Sequence, residues 1–313
     1  MFNPSFIRNA INRSAENSAD RRRFLKVAGA AGLGFAGATY LGGGSAVAGG
    51  ATAQDEGGPS DAAILNFALN LEYLEAEFYQ RAVTGNGLPD DLIGGPTPPG
   101  AVSGGREVPF ESDVVRAYAE EIAADELAHV RFLRSALGGA AVSRPALDID
   151  AAFTAAAMAA GLIQEGETFD AYANEDNFIL AAYIFEDVGV TAYKGAAPLI
   201  DNKTFLEAAA GILAVEAYHA ANIRNVIVSK GLQEPSVKIS DARDSLDGPS
   251  DLDQGVLLDG AINIVPSDAN AIAFSRSPGQ VLNIVYLNPA ETDRGGFFPA
   301  GVNGDVKTSA ANA

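Results

Sequence analysis

The two histidines of this chain each follow a glutamate at the same short spacing. The 313-residue sequence has only His129 and His219, and Glu126 and Glu216 stand three positions before them. Residues three apart lie on one face of a helix, so each pair can present a carboxylate oxygen and an imidazole nitrogen to the same point. Oxygen and nitrogen atoms of this kind bind iron, manganese and similar ions.

Two further glutamates, Glu72 and Glu186, lie in the apolar stripes of two other predicted helices. One glutamate from each of two helices, with Glu-x-x-His from each of two more, is the ligand set of dinuclear carboxylate bundles. Four carboxylates and two imidazoles nearly neutralise two divalent ions, so such a site tolerates burial. The sequence therefore predicts two Fe or Mn ions per chain. The predicted ligands are Glu72, Glu126, His129, Glu186, Glu216 and His219, with Glu75, on the same face as Glu72, as a further candidate.

A tyrosine follows each isolated glutamate at the same distance. Tyr79 comes seven residues after Glu72, and Tyr193 comes seven after Glu186. Two helical turns return each tyrosine to the face of its glutamate, which indicates that the two helices are counterparts under a pseudo-twofold axis. Two roles stay open: packing in the core with the hydroxyl bonded to a carboxylate, or a redox relay beside the metals.

Four helices must position these residues. Apolar periodicity and capping residues predict helices over about 60–83, 112–137, 176–196 and 204–230, capped by Ser60, by Ser112 and, for the last, by a Thr204 to Glu207 capping box. A loop rich in glycine and proline spans 84–109, and the long connection 140–175 contains a short helix near 151–161. The predicted fold is all-α, a ferritin-like antiparallel four-helix bundle with one long crossover.

The composition changes after the fourth helix. Six aspartates between positions 241 and 259 lack EF-hand spacing, so they predict a solvated loop rather than a calcium site. Short β-prone runs follow at 261–265 and 271–274, and Ser277 with Pro278 predicts a helix to residue 286. The predicted domains are a signal peptide (1–53), the bundle (54–235) and an acidic, loop-rich extension packing on or beside the bundle (236–313).

The first fifty residues have the composition of a signal peptide. A basic segment at 21–26 precedes a mildly apolar, glycine- and alanine-rich run and a small-residue cleavage motif ending at Ala53, with Ala48 as an alternative. The pair Arg21 and Arg22 resembles a twin-arginine (Tat) signal. We therefore expect Tat export to the periplasm or outside the cell. The apolar run of the signal peptide is too short and too rich in glycine to span a membrane. We also expect no membrane-spanning segment in the mature chain.

Charge and composition exclude several classes of function. With 40 acidic against 21 basic residues the net charge is -19, which excludes nucleic acid as a partner. The absence of cysteine excludes disulfides, thiolate metal sites and cysteine nucleophiles. The sequence also contains no P-loop, nucleophile elbow or dinucleotide-binding fingerprint.

The two Glu-x-x-His pairs, together with Glu72 and Tyr79, resemble the ferritin, bacterioferritin and rubrerythrin superfamily. Within it, the segments 66–79 and 273–282 resemble the Tat-exported or secreted ferritin-like proteins that include plant desiccation-related proteins. The resemblance implies that Glu72 and Glu186 are terminal carboxylates, Glu126 and Glu216 bridging carboxylates, and the two histidines terminal ligands. The long first loop and the acidic tail depart from ferritin, which argues against a 24-subunit cage and leaves a smaller homo-oligomer open.

Two functions of different classes are consistent with these features. The first is an exported oxidoreductase of oxidase, peroxidase or catalase type, whose metals react with oxygen or peroxide in stress protection and draw on an unidentified reductant. The second is a non-catalytic metal-binding or desiccation-related protein that bound metal stabilises. A bundle that binds no metal is a third interpretation, in which the buried glutamates would have strongly raised pKa values.

Overall fold

Four long helices form the centre of the computed structural model, which describes residues 58–312. They are α1 (Asp61–Thr84), α3 (Asp113–Leu137), α5 (Glu175–Ala196) and α6 (Lys203–Lys230). Helix α1 packs along α3, and α5 packs along α6. The all-α bundle predicted from the sequence is confirmed. The predicted signal peptide and its cleavage sites lie outside the described residues.

Side-chain contacts show that neighbouring helices run antiparallel. Asn66, near the start of α1, bonds to the carbonyl of Ala140 beyond the end of α3, whereas Gln80, near the end of α1, bonds to Ala123. Between α5 and α6, Lys230 pairs with Asp176, so the end of one helix meets the start of the other. Within residues 58–312, no helix is long and apolar enough to cross a membrane.

The predicted caps of the first two long helices are present. The side chain of Ser60 accepts a hydrogen bond from the Ala63 amide at 3.2 Å, and Ser112 accepts one from Val115 at 3.3 Å. Helix α1 ends at Gly85, whose φ of 71° lies in the left-handed region that favours glycine. Local chemistry therefore sets these helix ends as the sequence predicts.

The cap predicted for the fourth long helix is wrong. Helix α6 begins at Lys203 and is capped by Asn202, which accepts hydrogen bonds from the amides of Thr204 (2.9 Å) and Phe205 (3.4 Å). Asp61 at the start of α1 accepts from the amide of Asn202 at 3.0 Å and so holds the cap in place. Asn is a stronger N-cap residue than Thr, so the helix starts ahead of Thr204.

The cap assignment predicts the outcome of a substitution. Asn202→Ala should lower the free energy of unfolding by about 1 kcal/mol, because two amides at the start of α6 lose their acceptor. Thr204→Ala should change it by less than about 0.5 kcal/mol, because Thr204 does not act as the cap. Urea unfolding of both variants measures the difference. Equal losses would contradict the assignment.

The connections between the long helices contain short regular elements. The first holds α2 (Asp90–Ile93) and β1 (Val102–Ser103), and the second holds β2 (Leu147–Asp148) and α4 (Ala151–Ala159). Strands β1 and β2 pair in parallel. The short helix predicted near 151–161 is thus present, and the loop predicted over 84–109 is joined to the crossover by strand pairing.

The C-terminal region differs from the predicted loop. It contains α7 (Gln233–Asp247), a hairpin of β3 (Leu257–Leu258) and β4 (Ala261–Ile262), and α8 (Pro278–Tyr286). Helix α8 has the predicted start, where Ser277 and Gln280 form a capping box. The β-prone run at 271–274 forms no strand. The predicted boundary at 235/236 falls inside α7, and the division into domains stays a prediction.

The interpretation of the six aspartates at 241–259 as a solvated loop is wrong for four of them, because three lie on helix α7 (Gln233–Asp247) and a fourth, Asp253, is buried. Asp247 and Asp253 are buried within the C-terminal region, where Arg276 bonds to both, at 2.5 Å and 2.9 Å. Arg243 bonds to Asp253 at 2.7 Å and to Asp187 of α5 at 3.0 Å. Buried charges persist only when they are paired in this way. We call this set the Arg–Asp cluster: Asp187, Arg224, Arg243, Asp247, Asp253 and Arg276.

Candidate metal centre

All six predicted ligands meet at one point between the four long helices. Helix α1 contributes Glu72 and α5 contributes Glu186, while α3 and α6 each contribute a Glu-x-x-His pair. The four glutamates are at most 1% exposed. The predicted ligands are Glu72 (0% exposed), Glu126 (0%), His129 (8%), Glu186 (1%), Glu216 (0%) and His219 (5%).

The first half-site consists of Glu72, Glu126, His129 and Glu216. One potential ligand atom from each lies within 4.8 Å of the others. Nδ1 of His129 is 3.2 Å from Glu72 Oε2, 3.6 Å from Glu126 Oε2 and 3.7 Å from Glu216 Oε1. Ligand atoms about 2.1 Å from a common ion lie roughly 3 Å or more apart in octahedral geometry, so these separations suit one cation.

The second half-site consists of Glu126, Glu186, Glu216 and His219. Nδ1 of His219 is 3.2 Å from Glu126 Oε1 and 3.5 Å from Glu186 Oε2. Potential ligand atoms of Glu186, Glu216 and His219 also lie within 4.8 Å of one another. Glu126 thus presents a different oxygen to each histidine, and Glu216 belongs to both groups. This is the placement that two bridging carboxylates require.

Eight atoms that face the centre are buried and lack a hydrogen-bond partner. They are Glu72 Oε2, Glu186 Oε2, both carboxylate oxygens of Glu126 and Glu216, and Nδ1 of His129 and His219. Buried polar atoms are nearly always hydrogen-bonded, and an unpaired buried carboxylate is strongly unfavourable. Cations between these atoms would satisfy all eight together. The residues present therefore fit a pair of metal ions.

The electrostatics of the cluster also favour added positive charge. Burial, opposed by His129, raises the pKa of Glu72 to about 7, and burial with repulsion from Glu126 raises that of Glu216 well above its ordinary value. Burial opposes charging of the histidines, but the carboxylates favour it more strongly and raise the pKa values of His129 and His219 to about 11 and about 12. Two imidazolium ions cannot balance four carboxylates, whereas two divalent cations can.

The tyrosine hydroxyls cross between the two helices. Tyr79 of α1 donates a hydrogen bond to Glu186 Oε1 of α5, and Tyr193 of α5 donates to Glu72 Oε1 of α1. Each tyrosine lies two turns from its own glutamate but bonds to the other one. Burial and the nearby carboxylates raise both tyrosine pKa values well above the ordinary value, so both hydroxyls keep their proton. A redox role for them stays a prediction.

Glu75 lies beside the centre but belongs to neither half-site. It is buried and faces Gly189 of α5, where an added Cβ would lie 3.6 Å from Glu75 Oε1 and would overlap Glu216. Both residues line a cavity of about 20 Å³ between α1 and α5, covered by α8. Burial, with repulsion from Glu126 and Glu186, raises the pKa of Glu75 well above its ordinary value. Its role as an extra ligand stays a prediction.

One residue near the centre was missed by the sequence analysis. Asp125 lies 3.1 Å from Nε2 of His219, on the side of the ring that faces away from the cluster. The signal in the sequence was an acidic residue directly before Glu126, but acidic residues are common on helix surfaces. Only the packing of α3 against α6 shows which histidine it contacts.

Comparison with known proteins identifies the family to which this helical bundle belongs. The model of the ferritin-like domain family matches residues 60–229. Desiccation-related protein PCC13-62 of Craterostigma plantagineum is 32% identical over 271 residues, which cover 78% of this chain and 83% of that protein. Ferritin-like catalase Nec2 of Nesocodon mauritianus is 28% identical over 270 residues, with 79% and 85% covered. No solved structure matches the chain significantly. The chain belongs to the ferritin-like domain family.

Proposed function

We propose that this chain binds two iron or manganese ions and disproportionates hydrogen peroxide in stress protection. The observation that carries the proposal is the set of eight buried, unpartnered ligand atoms in two adjoining half-sites. The name of one relative, a ferritin-like catalase, supports peroxide as the substrate. The ions, when bound, would supply two electrons per cycle by alternating between the M(II) and M(III) states.

The reaction requires no outside reductant. Of two hydrogen peroxide molecules, one loses two electrons and two protons to become dioxygen, and the other gains them to become two water molecules. The chain contributes a buried site whose carboxylates accommodate both oxidation states, because carboxylate oxygens suit hard cations. The cavity of about 20 Å³ beside Glu75 and Gly189 has room for about one small molecule.

The two tyrosines orient the terminal carboxylates. Because Tyr193 and Tyr79 each hold Oε1 of a glutamate, Oε2 of Glu72 and of Glu186 faces the half-site. Hydrogen bonds of this outer kind fix the direction of a metal ligand and tune its basicity. Glu126 and Glu216 would each hold both ions, as the resemblance implies.

Oxygen evolution tests this proposal. Protein loaded separately with Mn(II) and Fe(II) should release one dioxygen per two peroxide molecules with at least one of the metals. Glu126→Gln should reduce the rate of oxygen evolution by more than about 100-fold, because loss of a ligand costs more than loss of a residue that only bonds to a ligand. Glu121→Gln removes an exposed carboxylate from the same helix and should leave the rate unchanged. A fully loaded protein that consumes no peroxide would contradict the proposal.

The alternative is a non-catalytic protein whose bound metal stabilises the bundle. The desiccation-related relative, at 32% identity, favours it. This alternative has the same metal centre as the first proposal and differs only in that the protein does not consume peroxide. Metal binding without peroxide consumption would therefore favour this alternative over the enzyme.

Export through the Tat pathway to the periplasm or the cell exterior is part of this proposal. Its support is the arginine pair at 21–22, the apolar run and the small-residue cleavage motif. Export would place a peroxide-consuming protein where external oxidants arrive first.

We propose a homo-oligomer smaller than a 24-subunit cage.

A further inference from the structure

The two histidines of the centre differ in what their outer nitrogen contacts. His219 directs Nδ1 toward the carboxylates and Nε2 toward Asp125 Oδ2, at 3.1 Å. A metal-binding histidine is typically oriented by such a bond, in which the outer N–H donates to a carboxylate and raises the basicity of the inner nitrogen. Asp125 thus prepares Nδ1 of His219 to accept a cation.

His129 lacks the corresponding carboxylate. The pseudo-twofold axis relates Glu126 to Glu216 and His129 to His219, so the counterpart of Asp125 is Val215. Both positions are partly buried, one on α3 and one on α6. Valine cannot accept a hydrogen bond, and within residues 58–312 the contacts of the His129 ring nitrogens are those of Nδ1 with carboxylates. The half-sites therefore differ in one outer interaction.

We propose that the two half-sites bind metal with unequal affinity, and that the half-site of His219 fills first. The inference rests on the proposed function in that it requires the centre to bind two ions. Asp125 is a positioning residue: it fixes the ring of His219 and adds negative charge behind it. Loss of a hydrogen-bond partner behind a metal ligand weakens metal binding by about 10–100-fold. We therefore expect the two half-sites to differ in metal affinity by about this factor.

Calorimetric titration of the metal-free protein with Mn(II) tests the inference. The wild-type protein should bind two ions in two steps whose dissociation constants differ by about 10–100-fold. Asp125→Val should weaken only the tighter step, so that the two steps merge. Asp125→Asn, whose amide oxygen still accepts the hydrogen bond without the charge, should restore part of the difference. Val215→Asp should strengthen the weaker step.

Two controls separate this effect from general electrostatics. Glu121→Gln removes one negative charge from the exposed surface of α3, one turn before Asp125, and should leave both steps unchanged. His129→Gln should keep the tighter step and lose the weaker one, which assigns the steps to the half-sites. Loss of the tighter step in this variant would overturn the inference.

The outcomes distinguish this inference from the proposed function. The inequality would be overturned if the wild-type protein bound both ions with equal affinity, or if Asp125→Val weakened both steps equally. Neither result would contradict the metal centre itself. If the wild-type protein binds no Mn(II) and no Fe(II), both this inference and the proposed function fail. Unequal steps without peroxide turnover would support this inference and contradict only the enzyme.

Discussion

The Glu126→Gln variant is expected to lose both metal ions, although it replaces a single carboxylate oxygen by an amide nitrogen. Glu126 presents Oε2 to His129 and Oε1 to His219, so it takes part in both half-sites. The substitution removes one negative charge from a fully buried cluster in which that charge would neutralise cations. Plasma mass spectrometry should find about two ions per wild-type chain and almost none in the variant.

Loss of metal should also lower thermal stability. A ligand present at about 1,000 times its dissociation constant stabilises the native state by about 4 kcal/mol. For a domain of this size that corresponds to a fall in Tm of about 8–16 °C. Calorimetry of the wild-type protein with and without a chelator measures the fall, and the chelator should change the Tm of Glu126→Gln only slightly.

The exposed neighbour provides the control for this prediction. Glu121 lies on the same helix and faces solvent, so Glu121→Gln should keep both ions and the wild-type Tm. Retention of two ions by Glu126→Gln would show that Glu126 does not bridge them. An unchanged Tm of the wild-type protein after complete metal removal would contradict stabilisation by metal.

Replacing Arg276 by alanine should destabilise the protein by about 3–5 kcal/mol, because it leaves the buried carboxylate of Asp247 without its partner and that of Asp253 with Arg243 as its one remaining cation. Arg276 is 1% exposed and bonds to Asp247 at 2.5 Å and to Asp253 at 2.9 Å. It also bonds through Nη1 to Thr191 of α5 at 3.0 Å. One side chain thus connects three segments, and its removal should loosen the C-terminal region from the bundle.

Urea unfolding measures this loss, and an exposed ion pair provides the comparison. Arg294 pairs with Asp293 at 2.8 Å, but both side chains are about half exposed. Arg294→Ala should therefore cost at most about 1 kcal/mol. Similar losses for Arg276→Ala and Arg294→Ala would show that burial does not determine the strength of the Arg276 contacts.

Much of the bundle and of its ligand set could be predicted because the relevant information is local. A helix returns to the same face every three to four residues, so Glu-x-x-His brings two ligands together wherever a helix forms. Ser60 and Ser112 bond to amides three positions away, which makes these helix starts recognisable from the sequence. Each of these features depends on a few consecutive residues.

Other features required the packed chain. The sequence placed Tyr79 on the face of Glu72, but the hydroxyl bonds to Glu186, 107 positions away. The aspartates after α6 resembled a solvated loop because their partners, among them Arg276, come from distant segments. Asp61, at the other end of the bundle sequence, accepts a hydrogen bond from the amide of the residue that caps α6.

The sequence by itself determined the four long helices and the types of ligand that they bring to a common centre. Only the tertiary structure decided which oxygen faces which histidine, which tyrosine holds which glutamate, and that His219 is paired with Asp125 while Val215 occupies the matching position. The physical reason is the range of the interactions. Helical periodicity and capping act over a few residues, whereas contacts between helices depend on how their faces are packed together.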